Sequence, residues 1–232
     1  MVTKASLDCP HCLSAKVVKN GRKKNGVQTY RCLSCDKQFQ EEYLYWGAEK
    51  KNKNLAIRML IRGSGIRDIA YVLGISTGCV LRVLVSQANP TCSPTYKMYH
   101  KVQVDKLYSF VQNKKKKVWI LYAYCAQTDE ILALTMGKRS KKTVKDLYKR
   151  LKDIQVNFWC TDAWKAFKEV LPKESHLIGK QFTKAIEGVN TSIRNACKRL
   201  IRRTNAFSKK IYNHWSAVKL VMYHRNLNPS YI

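Results

Sequence analysis

Hydrophobic and polar positions follow different periods in successive segments of the 232-residue chain. Residues 15–21 and 26–31 alternate, which predicts two short strands joined by a basic, glycine-bounded turn. From Asn54 the apolar residues recur at helical spacing, and this helix ends at the Gly-Ser-Gly break of residues 63–65. Residues 66–83 predict two more helices joined by a tight turn.

The second half of the chain mixes strands and helices. Strands are predicted at residues 101–111, 118–125, 131–136, 156–161 and 176–182, and helices at residues 141–151, at residues 163–171 and from residue 184 to about 203. The four lysines of residues 114–117 are predicted to form a solvated turn. Three strands followed by alternating helices and strands are the element order of a ribonuclease-H-like fold, which resembles that of retroviral integrases.

These patterns predict an α+β multidomain protein with a helical and an α/β part. We expect a small β-ribbon in residues 1–45, a helix-turn-helix in residues 46–90, a linker in residues 91–100 and an α/β domain of the ribonuclease-H-like type in residues 101–232. The linker is placed beside Pro90 and around Pro94, where neither helical nor strand periodicity continues.

The net charge of the chain indicates the kind of binding partner. The chain has 44 Lys and Arg residues against 15 Asp and Glu residues, a net charge of +29. Such a surface attracts polyanions, and double-stranded nucleic acid is the commonest one because each neutralised phosphate releases counterions. An anionic membrane face is the weaker interpretation. The 45% hydrophobic content excludes a disordered basic tail.

The chain gives no signal for membrane insertion or secretion. Its longest apolar run, residues 118–126, is far shorter than the roughly 20 residues that span a bilayer. No apolar stretch follows Lys4, so we expect no secretory signal and a reducing, cytoplasmic environment, where the protein associates with a bacterial or archaeal nucleoid. The nine cysteines are therefore not expected to form disulfides.

Four cysteines stand in two close pairs that are typical of structural zinc. The ligands are predicted to be Cys9, Cys12, Cys32 and Cys35, with 19 residues between the pairs. Four thiolates close a tetrahedral shell and leave no open position for chemistry. His11 as a replacement ligand is the less favoured alternative. The ribbon either only holds this segment together or also contacts DNA through the basic turn residues Lys19, Arg22, Lys23 and Lys24.

The helices that follow are typical of a DNA-reading helix-turn-helix. Ala70 allows close helix packing, Gly74 suits a left-handed turn, and Ser76 is placed to cap the next helix. The expected recognition residues are Thr77, Gly78, Leu81 and Arg82. An ordinary helical hairpin is the alternative interpretation.

Three acidic residues fall where a ribonuclease-H-like fold brings strand ends and its last helix together. Asp105, Asp162 and Glu187 supply enough oxygen ligands for Mg²⁺ or Mn²⁺, as two-metal phosphodiester chemistry requires. On the predicted helix, Glu187 heads a polar row at spacings of three and four. The row continues through Asn190, Arg194 and Lys198. A salt bridge between Glu187 and Arg194 is the alternative role for this acid.

With these residues the chain resembles the DDE transposases of the insertion sequence one (IS-one) type, with the products of two reading frames fused. The resemblance rests on the paired cysteines, the helix-turn-helix, and the segments around Asp105, Asp162 and Glu187. The 24 residues between Asp162 and Glu187 match the spacing of that family. Lys106 departs from the family, where we expect an acid; the change removes no ligand but alters the local field.

The resemblance implies roles for these residues. Asp105 would bridge two Mg²⁺ or Mn²⁺ ions, Asp162 and Glu187 would each hold one, and Arg194, with Asn190 or His176, would orient the cleaved strand. The ribbon and helix-turn-helix would recognise terminal inverted repeats, and the freed 3′-hydroxyls would be joined to target DNA by a dimer or larger assembly. A regulator without catalysis and a junction-resolving or ribonuclease H-type nuclease are the alternatives.

Overall fold

A computed structural model describes residues 7–24, 26–41 and 49–228. The chain divides into two compact units, residues 1–50 and residues 51–232. The boundary predicted between residues 45 and 46 lies outside the described residues.

The first unit is a small antiparallel sheet. Its strands, in the spatial order β1-β2-β3, are β1 (Val17–Arg22), β2 (Gln28–Cys32) and β3 (Gln38–Phe39). The sheet has a minimal core in which Phe39 packs beside the buried Cys9 and Cys32. Both predicted strands are present, whereas β3 was not predicted because two residues are too short to show alternation.

The second unit begins with three helices. They are α1 (Lys50–Ile61), α2 (Ile66–Leu73) and α3 (Thr77–Ser86). Gly74 ends α2 in a left-handed conformation with φ 61°, and the Ser76 side chain accepts a 3.1 Å hydrogen bond from the Cys79 backbone N–H at the start of α3. Both local predictions, the turn and the cap, are confirmed.

The centre of the second unit is a five-stranded mixed sheet. The strands, in the spatial order β6-β5-β4-β7-β8, are β4 (Met98–Val111), β5 (Asn113–Cys125), β6 (Glu130–Gly137), β7 (Gln155–Thr161) and β8 (His176–Ile178). Strands β4, β5 and β6 pair antiparallel, while β4, β7 and β8 pair parallel. The predicted meander with crossover units is confirmed.

Helices cover both faces of this sheet and bury two cores. The remaining helices are α4 (Lys141–Lys149), α5 (Lys165–Lys168), α6 (Lys184–Ala196) and α7 (Ile211–Leu227). On one face α6 and α7 share a continuous core with α1–α3, and on the other face α4 and α5 form a separate core. The architecture is therefore the predicted zinc ribbon followed by a mixed α/β unit.

No single described helix is long and apolar enough to cross a bilayer. Helices α2 and α3, which are bent by 113° relative to each other, are together long and apolar enough by length and composition alone.

Four details of the sequence prediction are wrong. The final helix α7 was not predicted, and α6 ends at Ala196, followed by a 3-10 turn at Lys198–Leu200, because Cys197 leaves the helical conformation. Strand β8 is shorter than predicted. The lysines of residues 114–117 belong to β5, since the hairpin already turns at Gln112, which has φ 66°.

The segment predicted to be a linker is fixed to the sheet by a buried carboxylate. Glu130 is 8% exposed, and its two carboxylate oxygens accept hydrogen bonds from the Thr95 N–H and hydroxyl and from the Tyr99 hydroxyl. Strand β4 already starts at Met98. Residues 91–100 therefore join elements of one compact unit, and a division into separate domains at this segment stays a prediction.

Candidate functional site

The four paired cysteines form a metal-type cluster. Their sulfur atoms all lie within 4.8 Å of one another, with 3.6 Å between Cys9 and Cys35 and 3.5 Å between Cys12 and Cys32. Sulfur atoms bound tetrahedrally at about 2.3 Å from zinc are separated by about 3.8 Å, so the cluster could hold this ion. His11 is exposed and lies outside the cluster.

Two of the predicted catalytic acids extend from neighbouring parallel strands. Gln103 of β4 is paired with Cys160 of β7, and Asp105 and Asp162 each lie two residues further along. Because the strands run parallel, both acids lie at the same level along the two neighbouring strands. Asp162 comes directly after the last residue of β7.

Hydrogen bonds connect Asp105 to helix α6. The Asn190 side-chain amide donates a 2.6 Å hydrogen bond to the Asp105 carboxylate, and its oxygen accepts a 2.7 Å bond from the Tyr122 hydroxyl. Tyr122 lies directly opposite Asp105 on β5. This chain of bonds fixes the orientation of the Asp105 carboxylate.

The charge of Asp105 is disfavoured by its surroundings. Burial raises the pKa of Asp105 above its usual value of 3.8, and the negative charge of Asp162 raises it further. Hydrogen bonds from the Lys106 backbone and from Asn190 partly oppose this rise. The two carboxylates are therefore close enough to repel each other.

The third acid lies on the same helix as Asn190. Glu187 is exposed and stands three residues before Asn190, about one helical turn away. The start of α6 is held to the sheet because the Ile186 N–H donates a 2.8 Å hydrogen bond to the Gln103 side-chain oxygen. Strand alternation places Gln103 on the same face as Asp105 and offered a signal for this residue.

The Asp162 carboxylate forms its contacts on the face of the sheet opposite to the one on which Asp105 meets α6. One oxygen is paired with the Lys106 ammonium, and the other accepts a 3.1 Å hydrogen bond from the Trp164 N–H. The Lys106 ammonium lies 5.3 Å and 5.5 Å from the ring centres of Trp164 and Phe167. Among the described residues only the cysteine cluster forms a metal-type group, and the three carboxylates are not gathered into one.

The donor chemistry nevertheless fits a divalent cation. Carboxylate oxygens are the ligands that Mg²⁺ and Mn²⁺ prefer, and Asp105 and Asp162 lie at matching positions along neighbouring strands. Burial is the main cause of the raised pKa of Asp105, and the negative charge of Asp162 adds to it; a bound cation would offset both. Glu187 is exposed on the helix that carries the Asp105 partner.

His176 lies beside the end of β7. Its Nε2 and the Thr161 hydroxyl are 2.8 Å apart, and burial lowers the pKa of His176 below its usual value of 6.5. The Thr161 hydroxyl also lies 2.8 Å from the Asp162 carbonyl oxygen. His176 is therefore placed to support the backbone that carries Asp162.

The predicted polar row on α6 divides into different environments. Asn190 is buried, and Arg194 is half-buried, with its Nε lacking a hydrogen-bond partner in the described part of the chain. Lys198 is exposed but follows the end of the helix. The Glu187 side chain has no ion pair with Arg194 in the described residues.

The predicted recognition residues of α3 do not share one environment either. Thr77 and Arg82 are exposed, while Leu81 is half-buried against the core. Thr77 and Leu81 line a cleft of about 670 Å³ whose other walls include the α1–α2 turn and α7. Of the four basic residues predicted on the ribbon turn, Lys19 and Arg22 instead belong to β1, because pairing with β2 extends that strand to Arg22, and Lys23 and Lys24 follow it. All four are exposed.

Comparisons with known proteins match both parts of the chain. The IS1 transposase family matches residues 100–225, and the InsA N-terminal domain, a zinc ribbon, matches residues 2–36. The iso-IS1n protein InsB of Shigella dysenteriae is 36% identical over 112 residues, covering 48% of this chain and 86% of the relative. An IS1 protein InsB of Escherichia coli K12 is 30% identical over 112 residues, covering 48% and 67%.

Among solved structures, the chain is similar to one from a simian T-cell lymphotropic virus intasome in complex with the PP2A regulatory subunit B56 gamma. The TM-score is 0.33 and the sequence identity 11%, with 61% of this chain and 59% of the other covered.

Proposed function

Since this chain belongs to the IS1 transposase family, we propose that it cleaves DNA at the ends of an insertion sequence and joins the freed 3′-hydroxyls to target DNA. One observation supports this reaction above the others. Asp105 and Asp162 extend from paired parallel strands at matching positions, and α6, which carries Glu187, is hydrogen-bonded to Asp105 through Asn190.

Asp105, Asp162 and Glu187 are proposed to hold Mg²⁺ or Mn²⁺. Bound cations of this kind activate an attacking hydroxyl and stabilise the leaving oxygen of a phosphodiester. Asn190 keeps one oxygen of Asp105 fixed, so that the carboxylate does not have to reorient during the reaction. The Tyr122 hydroxyl in turn fixes the Asn190 amide.

Basic side chains on and after α6 are proposed to hold the strand that is cut. Arg194 follows Asn190 by four residues, and Lys198 is exposed beyond the helix end. Not one acidic residue follows Glu187 in the sequence, so phosphate groups meet no carboxylate from this segment. His176 supports the end of β7 through Thr161.

The remaining proposals concern recognition and assembly. The zinc ribbon, with Zn²⁺ on its four cysteines, and the helix-turn-helix would bind the terminal inverted repeats of double-stranded DNA. Thr77 and Arg82 are exposed for such contacts, whereas Leu81 would need a nucleotide that enters the cleft. Pairing two element ends requires at least two copies of the chain, and the reaction would take place on nucleoid DNA in the cytoplasm.

The experiment is strand transfer in vitro with Mg²⁺ and DNA that carries the element's ends. We expect Asp162→Asn to reduce joining by at least 10³-fold and to leave end binding within about twofold, because the substitution removes a proposed ligand and no DNA contact. Joining is followed on gels and binding by mobility shift.

Asp146→Asn is the matched control, since Asp146 is exposed on α4 and the same atoms are exchanged. It should join normally. Undiminished joining by Asp162→Asn would remove this acid from the site. End binding without any joining by the wild-type chain would favour a regulator instead.

A further inference from the structure

Lys106 occupies an unusual position next to the proposed site. Its side chain is only 10% exposed, and its ammonium is paired with the Asp162 carboxylate, which is 42% exposed. Lys106 follows Asp105 on β4, so the two side chains point to opposite faces of the sheet. The pairing therefore directs Asp162 away from the face on which Asp105 meets α6.

A buried ammonium needs a counter-charge, and Asp162 supplies it. The same carboxylate is a proposed ligand of a divalent cation, and one carboxylate oxygen cannot serve both cations at full strength. Since Asp162 is open to solvent, a hydrated cation can approach it, whereas the Lys106 ammonium approaches from inside the protein.

The Lys106 ammonium would keep favourable contacts if Asp162 bound a divalent cation instead. The rings of Trp164 and Phe167 both lie within 6 Å of the ammonium, the range in which an aromatic ring attracts a cation. These contacts do not depend on Asp162, so they lower the cost of releasing the carboxylate.

We propose that Lys106 is an internal counter-ion that competes with the divalent cation for Asp162. The proposed metal site is then complete only when the cation displaces Lys106 and is bound by Asp162 together with Asp105. This inference rests on the proposed function, because it assumes that Asp162 is a metal ligand. Lys106 acts as a positioning residue, since it works through Asp162.

The competition can be measured without the reaction, by titrating the zinc-loaded full chain with Mn²⁺ and following free Mn²⁺ by electron paramagnetic resonance. Lys106→Met removes the charge and keeps an apolar stem against Trp164 and Phe167. An opposite charge within about 4–6 Å shifts cation occupancy of a carboxylate about tenfold or more, as proton binding shows. We therefore expect Lys106→Met to bind Mn²⁺ about tenfold more tightly.

Two controls define the effect. Lys106→Arg keeps the charge and should bind Mn²⁺ like the wild type. Lys165→Met removes an exposed lysine three residues from Asp162, one that pairs with Glu169, and should also leave the affinity unchanged. In an Asp162→Asn background, Lys106→Met should give no gain, because the shared carboxylate is absent. Thermal melting verifies that each variant is folded.

Equal Mn²⁺ affinity of Lys106→Met and the wild type would overturn the inference, as would an equal gain from Lys165→Met. If the wild type still joined DNA with Mg²⁺ in that case, the proposed function would stand. Absence of Mn²⁺ binding by every variant would overturn both the metal-dependent function and the inference that rests on it.

Discussion

At the scale of single residues, Asp105 shows how the site sets function against stability. Burial disfavours its negative charge, and the hydrogen bonds from the Lys106 backbone and Asn190, together with the Lys106 charge, offset only part of that cost. A carboxylate that only stabilised the fold would have a lowered pKa, as Asp129 has when it pairs with the buried Arg225, although burial opposes that shift. The pKa of Asp105 is shifted in the opposite direction, as is common for functional groups.

We predict that Asp105→Asn stabilises the second unit at neutral pH. A folded-state pKa above the unfolded value favours the protonated form, so the stability it contributes is present at low pH and is lost as pH rises through the folded pKa. Asn cannot ionise, and the advantage of Asp105→Asn should therefore grow between pH 4 and pH 8, a range that begins near the usual Asp pKa of 3.8. Urea unfolding at both pH values measures it.

Asp146→Asn again serves as the matched control, because Asp146 is exposed on α4 and the same atoms are exchanged. An advantage of Asp105→Asn that stays constant or shrinks between pH 4 and pH 8 would contradict the assigned cause.

Part of the site could be predicted from the sequence and part could not. Asp105 and Asp162 were identifiable because each lies at a definite point of an apolar strand, and strand order brings those points together. The Tyr122–Asn190 hydrogen bond and the Lys106–Asp162 pair depend on register and on side-chain rotamers. Neither quantity is encoded in the hydrophobic pattern, although Lys106 was noticeable as a departure from the family.

At the scale of elements, a close contact joins the α1–α2 turn to the end of helix α6. Gly63, in the α1–α2 turn, has φ 81°, and a Cβ atom there would lie 2.9 Å and 3.0 Å from the backbone oxygens of Asn195 and Ala196 at the end of α6. Backbone oxygens cannot rotate away as a side chain does. The turn therefore requires glycine for its conformation and for its contact.

We predict that Gly63→Ala destabilises the second unit by about 2–3 kcal/mol. Gly74→Ala is the matched control, because Gly74 has φ 61° but no atom within 4 Å of the added Cβ. It should cost only about 1–2 kcal/mol, the strain of a left-handed residue. Urea unfolding gives both free energies. Equal losses of unfolding free energy in Gly63→Ala and Gly74→Ala would show that the close contact with α6 does not contribute to the cost of Gly63→Ala.

Elements were predicted well where one face of a strand or helix is apolar, and poorly elsewhere. Helix α7 buries residues on every side, including the polar Asn213 and His214, so it shows no helical period in hydrophobicity. The lysine-rich start of β5 is exposed, and pairing with β4, such as Lys117 opposite Phe110, makes it a strand. Backbone pairing of this kind leaves no hydrophobic signature.

At the scale of the whole molecule, the two compact units depend on different sources of stability. Among its described residues, the first has a hydrophobic core of three buried side chains, Cys9, Cys32 and Phe39, and two of these are proposed zinc ligands. The second has extensive apolar cores on both faces of its sheet. The first unit should therefore fold only with metal, and the second without it.

We predict that Cys35→Ser lowers bound zinc from about one ion per chain to well below that and unfolds the first unit alone, because three thiolates hold zinc more weakly than four. Zinc content is measured by mass spectrometry, and folding by protease sensitivity of each unit. Cys92→Ser should keep its zinc, as Cys92 lies outside the cluster. Full zinc occupancy in Cys35→Ser would rule out the four-cysteine site.

The anchoring of the segment before β4 bears on the proposed reading of DNA. Glu130 accepts hydrogen bonds from Thr95 and Tyr99, and the α1–α2 turn packs closely against the end of α6 at Gly63, so α3 and the proposed catalytic acids belong to one compact unit. If α3 reads the element's end and these acids cut the DNA, as we propose, the protein itself sets the number of base pairs between the sequence that is read and the bond that is cut. DNA with altered spacing would then have to twist or bend to compensate.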